Sequence, residues 1–216
     1  MIRDFTLTEF WLVAAGLGAT LALSAIAFIG GSLAGLLVAL ARTAPAKGLR
    51  MTAAAFIDFF QGTPMLLQLF LVFYGLPVLG WKVNVWVAAA VGLTLHAGAF
   101  LGEIWRGGIQ AVPRGQTEAA AALGLGYGAR MRYVVLPQAL RMSFAPTVGF
   151  LVQLIKGTSL AAIIGFVELS RSGQLVSSIT YKPLLAFGLV GACYFAICFP
   201  LSRYSARLER RFAAGH

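Results

Sequence analysis

The sequence predicts an all-α integral membrane protein: five transmembrane helices plus a short cytoplasmic helix, N-terminus outside, C-terminus inside. Three observations carry this. The 216 residues are 59% apolar and only 11% charged, against roughly 45–50% and about 25% in a soluble domain. Five long runs hold almost no charge. The cations fall unevenly between the connecting loops. Such hydropathy also excludes disorder. The net charge of +10 is broken up by uncharged stretches, whereas a nucleic-acid reader gathers its charge on one solvated face. Lipid is expected as a partner and nucleic acid is not.

A membrane helix needs roughly 20 apolar residues to cross about 30 Å of hydrocarbon. Thirty-two uncharged residues lie between Glu9 and Arg42, which predicts a first span over 11–41. Twenty-three lie between Asp58 and Lys82, for a second span over 51–80. Twenty lie between Lys82 and Glu103, for a third over 83–105. From Met142 to Val167 the only charge is Lys156. That stretch is read as a fourth span over 134–165 with a polar interruption, or as a span followed by a re-entrant piece. Pro183 to Ser202 is uncharged and predicts a fifth over 183–204. Cytoplasmic loops carry excess Lys and Arg. The 42–50 loop, the 103–141 connection and the C-terminal tail hold 12 of them. The other side holds 4, namely Arg3, Lys82, Arg171 and Lys182. An odd number of spans agrees with that orientation. The Arg clusters then serve as headgroup anchors.

The opening MIRDFTLTEF has acids where a signal peptide has a basic region, so no cleaved leader is expected. Cys193 and Cys198 lie in one apolar run and read as small apolar residues. They are too few for a disulfide framework and are not spaced for zinc. No metal site, bound cofactor or catalytic residue is predicted, because no nucleophile–base or ligand constellation is present. The chain is not expected to be an enzyme.

The connection 104–141 is the longest between spans. Pro113 and Gly115 are expected to end the preceding helix, with Thr117 capping a short helix over 117–124. Ala and Leu favour that helix, and Glu118 in its first turn suits the dipole. Gly124, Gly126 and Gly128 are expected to end it, and Pro137 to open or kink the return into the bilayer. At about ten residues the helix cannot span, and its small side chains anchor poorly in lipid. Two readings stand: a knob that docks in a partner's groove, or a connecting helix packed on its own bundle. The glycines imitate part of a dinucleotide fingerprint but follow a helix rather than a strand. There is no GxxxxGKS or GxxxxGKT phosphate loop.

Glu118, Ala119, Ala120, then Gly124, then nine residues before Val134, Val135, Leu136 and Pro137, resembles the EAA signature of ABC importer permeases. Val134 stands where that signature has Ile. QGTPMLLQLFLVFYGLP at 61–77, AGAFLGEIWRGGIQAVPRGQ at 97–116, LPQALR at 136–141 and GTSLAAIIGFVELSRSGQ at 157–174 are similar to the polar amino-acid uptake branch (histidine, glutamine, arginine and glutamate permeases). The resemblance covers about residues 15–207 of a single permease domain. It implies a type I importer in a bacterial inner membrane. Two permease subunits, identical or homologous, would form the pathway. A cytoplasmic ATPase dimer would bind ATP and Mg and receive the 117–124 helix. A periplasmic or lipid-anchored binding protein would deliver substrate.

Polar groups at membrane depth are candidates for the substrate pathway. Asp58, Gln61 and Thr63 surround Gly62 and Pro64. This is either a simple kink or a broken helix whose freed backbone groups face protein or a wet cavity. His96 lies two turns before Glu103 on one helix face. Glu103 and Arg106 can pair at i, i+3. Lys156, Thr158 and Ser159 interrupt the fourth span; Lys156 could pair with Glu103 or meet a substrate carboxylate. The family often has Arg at the position of Gln61 and an acid or amide at that of Gly157, so roles tied to those groups do not carry over. Gly31 and Gly35 form a small-xxx-small pair. The acids and the Lys suit a zwitterion, read as a polar amino acid; an amino-acid derivative such as an opine is the alternative. A stand-alone oligomeric carrier and a non-transporting scaffold are the other classes.

Overall fold

The structure, a computed structural model, describes residues 6–213. Arg3 and the rest of the opening five residues lie outside the described residues, as does the side chain of Arg211. The described residues contain helices and no strand.

Helix α1 runs from Leu7 to Thr43, opened by a Thr6–Glu9 capping box. Helix α2 is Lys47–Gly62 and α3 is Met65–Val78, the two bent by 107° at the break between them. Helix α4 is Val85–Ala111, capped by Asn84, which accepts from the Val87 amide at 2.8 Å. Helix α5 is Arg114–Ala122. Helix α6, Tyr127–Ile164, passes through a π turn at Met131–Val135 and tightens to 3-10 geometry over Thr158–Ile164. Helix α7 is Leu169–Thr180 and α8 is Pro183–Ala213. By length and composition four helices can cross a membrane, and five if the bent α2–α3 pair counts as one.

Lipid is as apolar as Leu, so helices in a bilayer associate through close packing and small residues rather than through hydrophobic burial. The buried face of α4 is built that way, from Ala88, Ala89, Gly92, Ala97, Gly98, Gly102 and Gly108 among others. A Cβ on Gly31 would lie 2.4 Å from the Ala97 Cβ, and one on Gly35 would lie 2.9 Å from the Gly102 amide nitrogen. The Gly31–Gly35 pair is therefore a real seam. Its register, with Gly30 on Thr94, Gly31 on Ala97 and Gly35 on Gly102, rises together on both helices, so α1 and α4 run parallel. Helix α6 runs antiparallel to α4: Gly108 meets Ser143, Trp105 donates to the Thr147 hydroxyl at 2.9 Å, and His96 stacks toward Phe150. Helix α8 runs antiparallel to α6, with Ser205 donating to the Ala145 carbonyl at 2.9 Å and Cys198 packed with Val152 and Ile155.

One open alternative is decided and three expectations are corrected. The 51–80 stretch is not one helix with a simple kink. Pro64 has no N–H and restricts the residue before it to extended backbone; Thr63 and Pro64 both adopt that conformation, at ψ 144° and 134°. The short helix begins at Arg114, directly after Pro113, rather than at Thr117. Thr117 sits inside it, its hydroxyl donating back to the Arg114 carbonyl at 2.6 Å, and Glu118 lies beyond the first turn. Gly128 ends no helix but lies within Tyr127–Arg130. The predicted outer loop between the last two spans contains α7.

Candidate functional site

The break between α2 and α3 strands backbone groups, and the structure supplies their partners. Pro64 offers no N–H to the carbonyl of Phe60. The Gln68 side-chain amide donates to that carbonyl at 2.7 Å, to the Thr63 carbonyl at 3.0 Å and to the Thr63 hydroxyl at 3.0 Å. Thr63 in turn donates to the Phe59 carbonyl at 2.7 Å. Carbonyls only accept, so the Gln68 NH2 must face them and its Oε1 is left for His96, whose Nδ1 lies 2.9 Å away. His96 Nδ1 is thereby fixed as a donor, which leaves Nε2 with the lone pair in the neutral ring. The ring stacks on Phe100 at 4.5 Å between centroids.

The second irregular segment meets the first. Met65, the first residue of α3, packs against Gly157; a Cβ there would lie 3.1 Å from the Met65 methyl. The missing side chain at Gly157 makes room for α3 at the point where α6 changes to 3-10 geometry. Thr158 is buried and donates to the Ile155 carbonyl at 2.8 Å. Ser159 donates to the Lys156 carbonyl at 2.8 Å. Lys156 is exposed on the surface of this chain, in a groove with Tyr194, Phe195, Cys198 and Phe199. Glu103 forms its ion pair with Arg106, whose Nε donates at 2.7 Å, and not with Lys156.

Thr63, His96, Thr158, Ser159 and the Lys156 backbone thus gather around two broken segments. Asp58 and Gln61 are exposed on α2, before the break. Glu103 lies two turns from His96, toward the other end of α4.

Two residues central to this geometry were missed by sequence reasoning. Gln68 is 2% exposed; asking what pairs the carbonyls freed by Pro64 would have found it. Glu168 is fully buried and caps α7, accepting from the amides of Ser170 at 2.8 Å and Arg171 at 2.7 Å and from the Tyr194 hydroxyl at 3.0 Å. It gave no signal because Glu is an uncommon cap and α7 was unforeseen.

At the other end of the bundle α5 closes with Gly124 at φ +77°. The amides of Gly124 and Leu125 return to the carbonyls of Ala121 and Ala120 at 2.9 and 3.1 Å, the Schellman arrangement. Ala120 is buried against the bundle, while Ala119 and Leu123 face outward. Leu136 and Pro137 begin the regular α-helical part of α6 after its π turn.

Residues 31–214 match the family described as binding-protein-dependent transport system inner membrane component. The chain is 35% identical over 205 residues to a probable amino-acid ABC transporter permease protein, YckA, of Bacillus subtilis, covering 95% of this chain and 91% of that one. It is 34% identical to the L-cystine transport system permease protein TcyB of the same organism, covering 96% and 90%. A crystal structure of an amino acid ABC transporter with histidines superposes with a TM-score of 0.89 at 33% identity, covering 98% of this chain and 100% of that chain. The MetNI methionine ABC transporter, at 22% identity and a TM-score of 0.81 over 96% and 99%, shares the fold. The chain belongs to the binding-protein-dependent transport system inner membrane components. It is an integral membrane permease subunit of an ABC importer, not a catalytic enzyme.

Proposed function

We propose that this subunit carries a polar amino acid across a bacterial inner membrane, as one of two permease subunits driven by a separate ATPase. The observation that carries the reading is the pairing of two features. Two broken backbone segments meet inside the bundle, where transporters hold substrate, and an outward-faced short helix, α5, stands at one end of the bundle.

The helix directions support five crossings. Helices α1 and α4 run parallel, so the chain between Thr43 and Val85 must return across the full thickness, and α2–α3 is that return. With α6 antiparallel and α8 parallel to α4, the two ends of the chain lie on opposite sides. The Lys and Arg excess puts α5 and the C-terminal end inside.

Alternating access follows from this layout. ATP and Mg bind to the ATPase dimer, which closes and moves the two α5 helices. Through α6 that movement reaches the 3-10 segment beside Met65 and Gly157. Thr63, His96, Thr158 and Ser159 line the pathway with Lys156, and Glu118, Ala119, Ala120, Gly124, Leu136 and Pro137 form the coupling element. A binding protein outside delivers the substrate. The amino-acid class rests on the relatives at 34–35% identity over nine tenths of the chain.

The test is mild-detergent purification of the tagged chain with identification of what accompanies it, alongside amino-acid uptake. A stoichiometric ATPase bearing a phosphate loop is expected. The Glu118→Lys variant should insert normally, lose that ATPase and lose uptake. Normal uptake by the variant would remove Glu118 from coupling. A folded chain that arrives alone would favour a carrier or scaffold.

A further inference from the structure

Two cavities on this chain share a wall, and neither touches the broken segments described above. One is an apolar groove of about 250 Å³ between α1, α4 and α6, lined by Leu33, Leu36, Ala39, Trp105, Ile109 and Leu140 among others. The other, of about 340 Å³, lies between α5 and the adjoining ends of those helices, lined by Thr43, Ile109, Thr117, Glu118, Tyr127 and Arg130 among others. Ile109 borders both. Ala39 and Thr43 are one turn apart on α1, and Leu136 of the groove follows Val135 of the cavity. The groove and the cavity therefore lie end to end, adjoining at Ile109. From Ala39 back to Ser32 the groove extends about 10 Å along α1.

The two halves differ in chemistry. The groove walls are almost wholly hydrocarbon. The cavity holds a guanidinium and a carboxylate, Arg130 and Glu118. A ligand that fits both halves needs an apolar chain, an anionic centre beside it and a cationic nitrogen beyond.

We infer that this composite site holds one aminophospholipid of the inner leaflet. An acyl chain lies in the groove, the phosphate meets Arg130, and the primary amine donates to Glu118. Basic pockets between helices on the cytoplasmic side are where lipid headgroups bind. The choice of headgroup follows from Glu118. A glycerol headgroup brings no cation to that carboxylate, and a choline headgroup has no N–H to donate. The headgroup would sit beneath α5, so lipid composition would bear on the coupling helix. The inference rests on the inner-leaflet placement of this end of the bundle proposed above, and its test reads lipid, not transport or ATP hydrolysis.

The full chain is reconstituted in vesicles of equimolar phosphatidylethanolamine, phosphatidylcholine and phosphatidylglycerol, re-extracted in mild detergent, and its retained phospholipid counted by mass spectrometry. One phosphatidylethanolamine per chain is expected, enriched over both others. Arg130→Gln should lower retention about tenfold, the loss of one charge-assisted hydrogen bond. Leu36→Trp, which fills the groove, should do the same, while Leu36→Met and Arg130→Lys, folding controls that keep shape and charge, should retain the lipid. Glu118→Gln should erase the preference for ethanolamine over choline. Retention in bulk proportions would overturn the site, as would unchanged retention in both Arg130→Gln and Leu36→Trp. Preference for phosphatidylglycerol or phosphatidylcholine would overturn the assigned headgroup.

Discussion

Pro64 strips the Phe60 carbonyl of its helical donor. Gln68 supplies the donor and holds the neighbouring Thr63 carbonyl too. Leaving a buried polar group unpaired costs about 1–3 kcal/mol. Gln68→Leu should therefore destabilise the chain by about 2 kcal/mol, or on the order of 5 °C in Tm at this size. Gln68→Glu should recover nothing when ionised, because a carboxylate cannot donate. His96→Phe keeps the stack on Phe100 and loses one hydrogen bond, which costs about 1 kcal/mol. Thermal melts of the purified proteins in detergent check all three; a Gln68→Leu chain that melts with the wild type would show that another donor serves the break. The break itself was legible in Gly62 and Pro64. Its partner was not: a Gln among Leu and Phe looks like any polar interruption until the stranded carbonyls are counted.

At the scale of elements, the apolar runs gave the spans their existence and order, and missed mainly where helices outlast the hydrocarbon. Helix α1 extends beyond the expected 11–41 at both ends, and α8 continues past its expected end at Tyr204 to Ala213. Helix α7 was invisible as a span because its polar residues alternate with a narrow buried stripe of Leu169, Ser172, Gly173, Val176 and Thr180. The glycines were ambiguous for a different reason. Among 25 of them, spacing cannot separate a packing seam from chance; the neighbours can. Gly35 faces backbone atoms of α4, with the Gly102 nitrogen 2.9 Å and the Gly98 oxygen 3.1 Å from an added Cβ. Backbone cannot swing aside, so Gly35→Ala must push the helices apart and lose stability by about 1–3 kcal/mol, as overpacking does. Gly18, on the same helix, has nothing within 4 Å, and Gly18→Ala should be neutral or stabilising by up to about 1 kcal/mol through helix propensity. Opposite signs in paired melts are the expected result. Equal effects would mean that the α1–α4 seam tolerates expansion.

The whole molecule presents two contrasting flanks. One is lined by α1, whose Ile29, Leu33 and Leu37 are 63%, 67% and 70% exposed, with no charge between Glu9 and Arg42. The other, along α6 and α8, exposes Lys156. Lys156 stands fifteen residues along α6 from Arg141, and its neighbour Cys198 stands fifteen along α8 from Pro183. Each stretch is about 22 Å of helix, so the ammonium stands deep in the bilayer from either end. An intramembrane Lys almost always faces the bundle interior or a water-filled cavity. On the function proposed above, the α6–α8 flank is assigned to the pathway and the second subunit, and the α1 flank to lipid. The depth of Lys156 could be counted in the sequence. The flank it shares with Tyr194 and Phe199 could not, because it depends on how α8 lies against α6. A cysteine-substituted pair distinguishes the flanks. With Cys193 and Cys198 first replaced by Ala, Lys156→Cys and Leu33→Cys are placed in the reconstituted complex and exposed to a charged, membrane-impermeant thiol reagent. Only the thiolate reacts, and each unit by which lipid raises a thiol pKa lowers its thiolate fraction about tenfold. Lys156→Cys should label at least about tenfold faster than Leu33→Cys, and substrate should slow it. Equal, slow labelling at both positions would place the α6–α8 flank in a dry contact, and the water path would then have to run along the α2–α3 break instead.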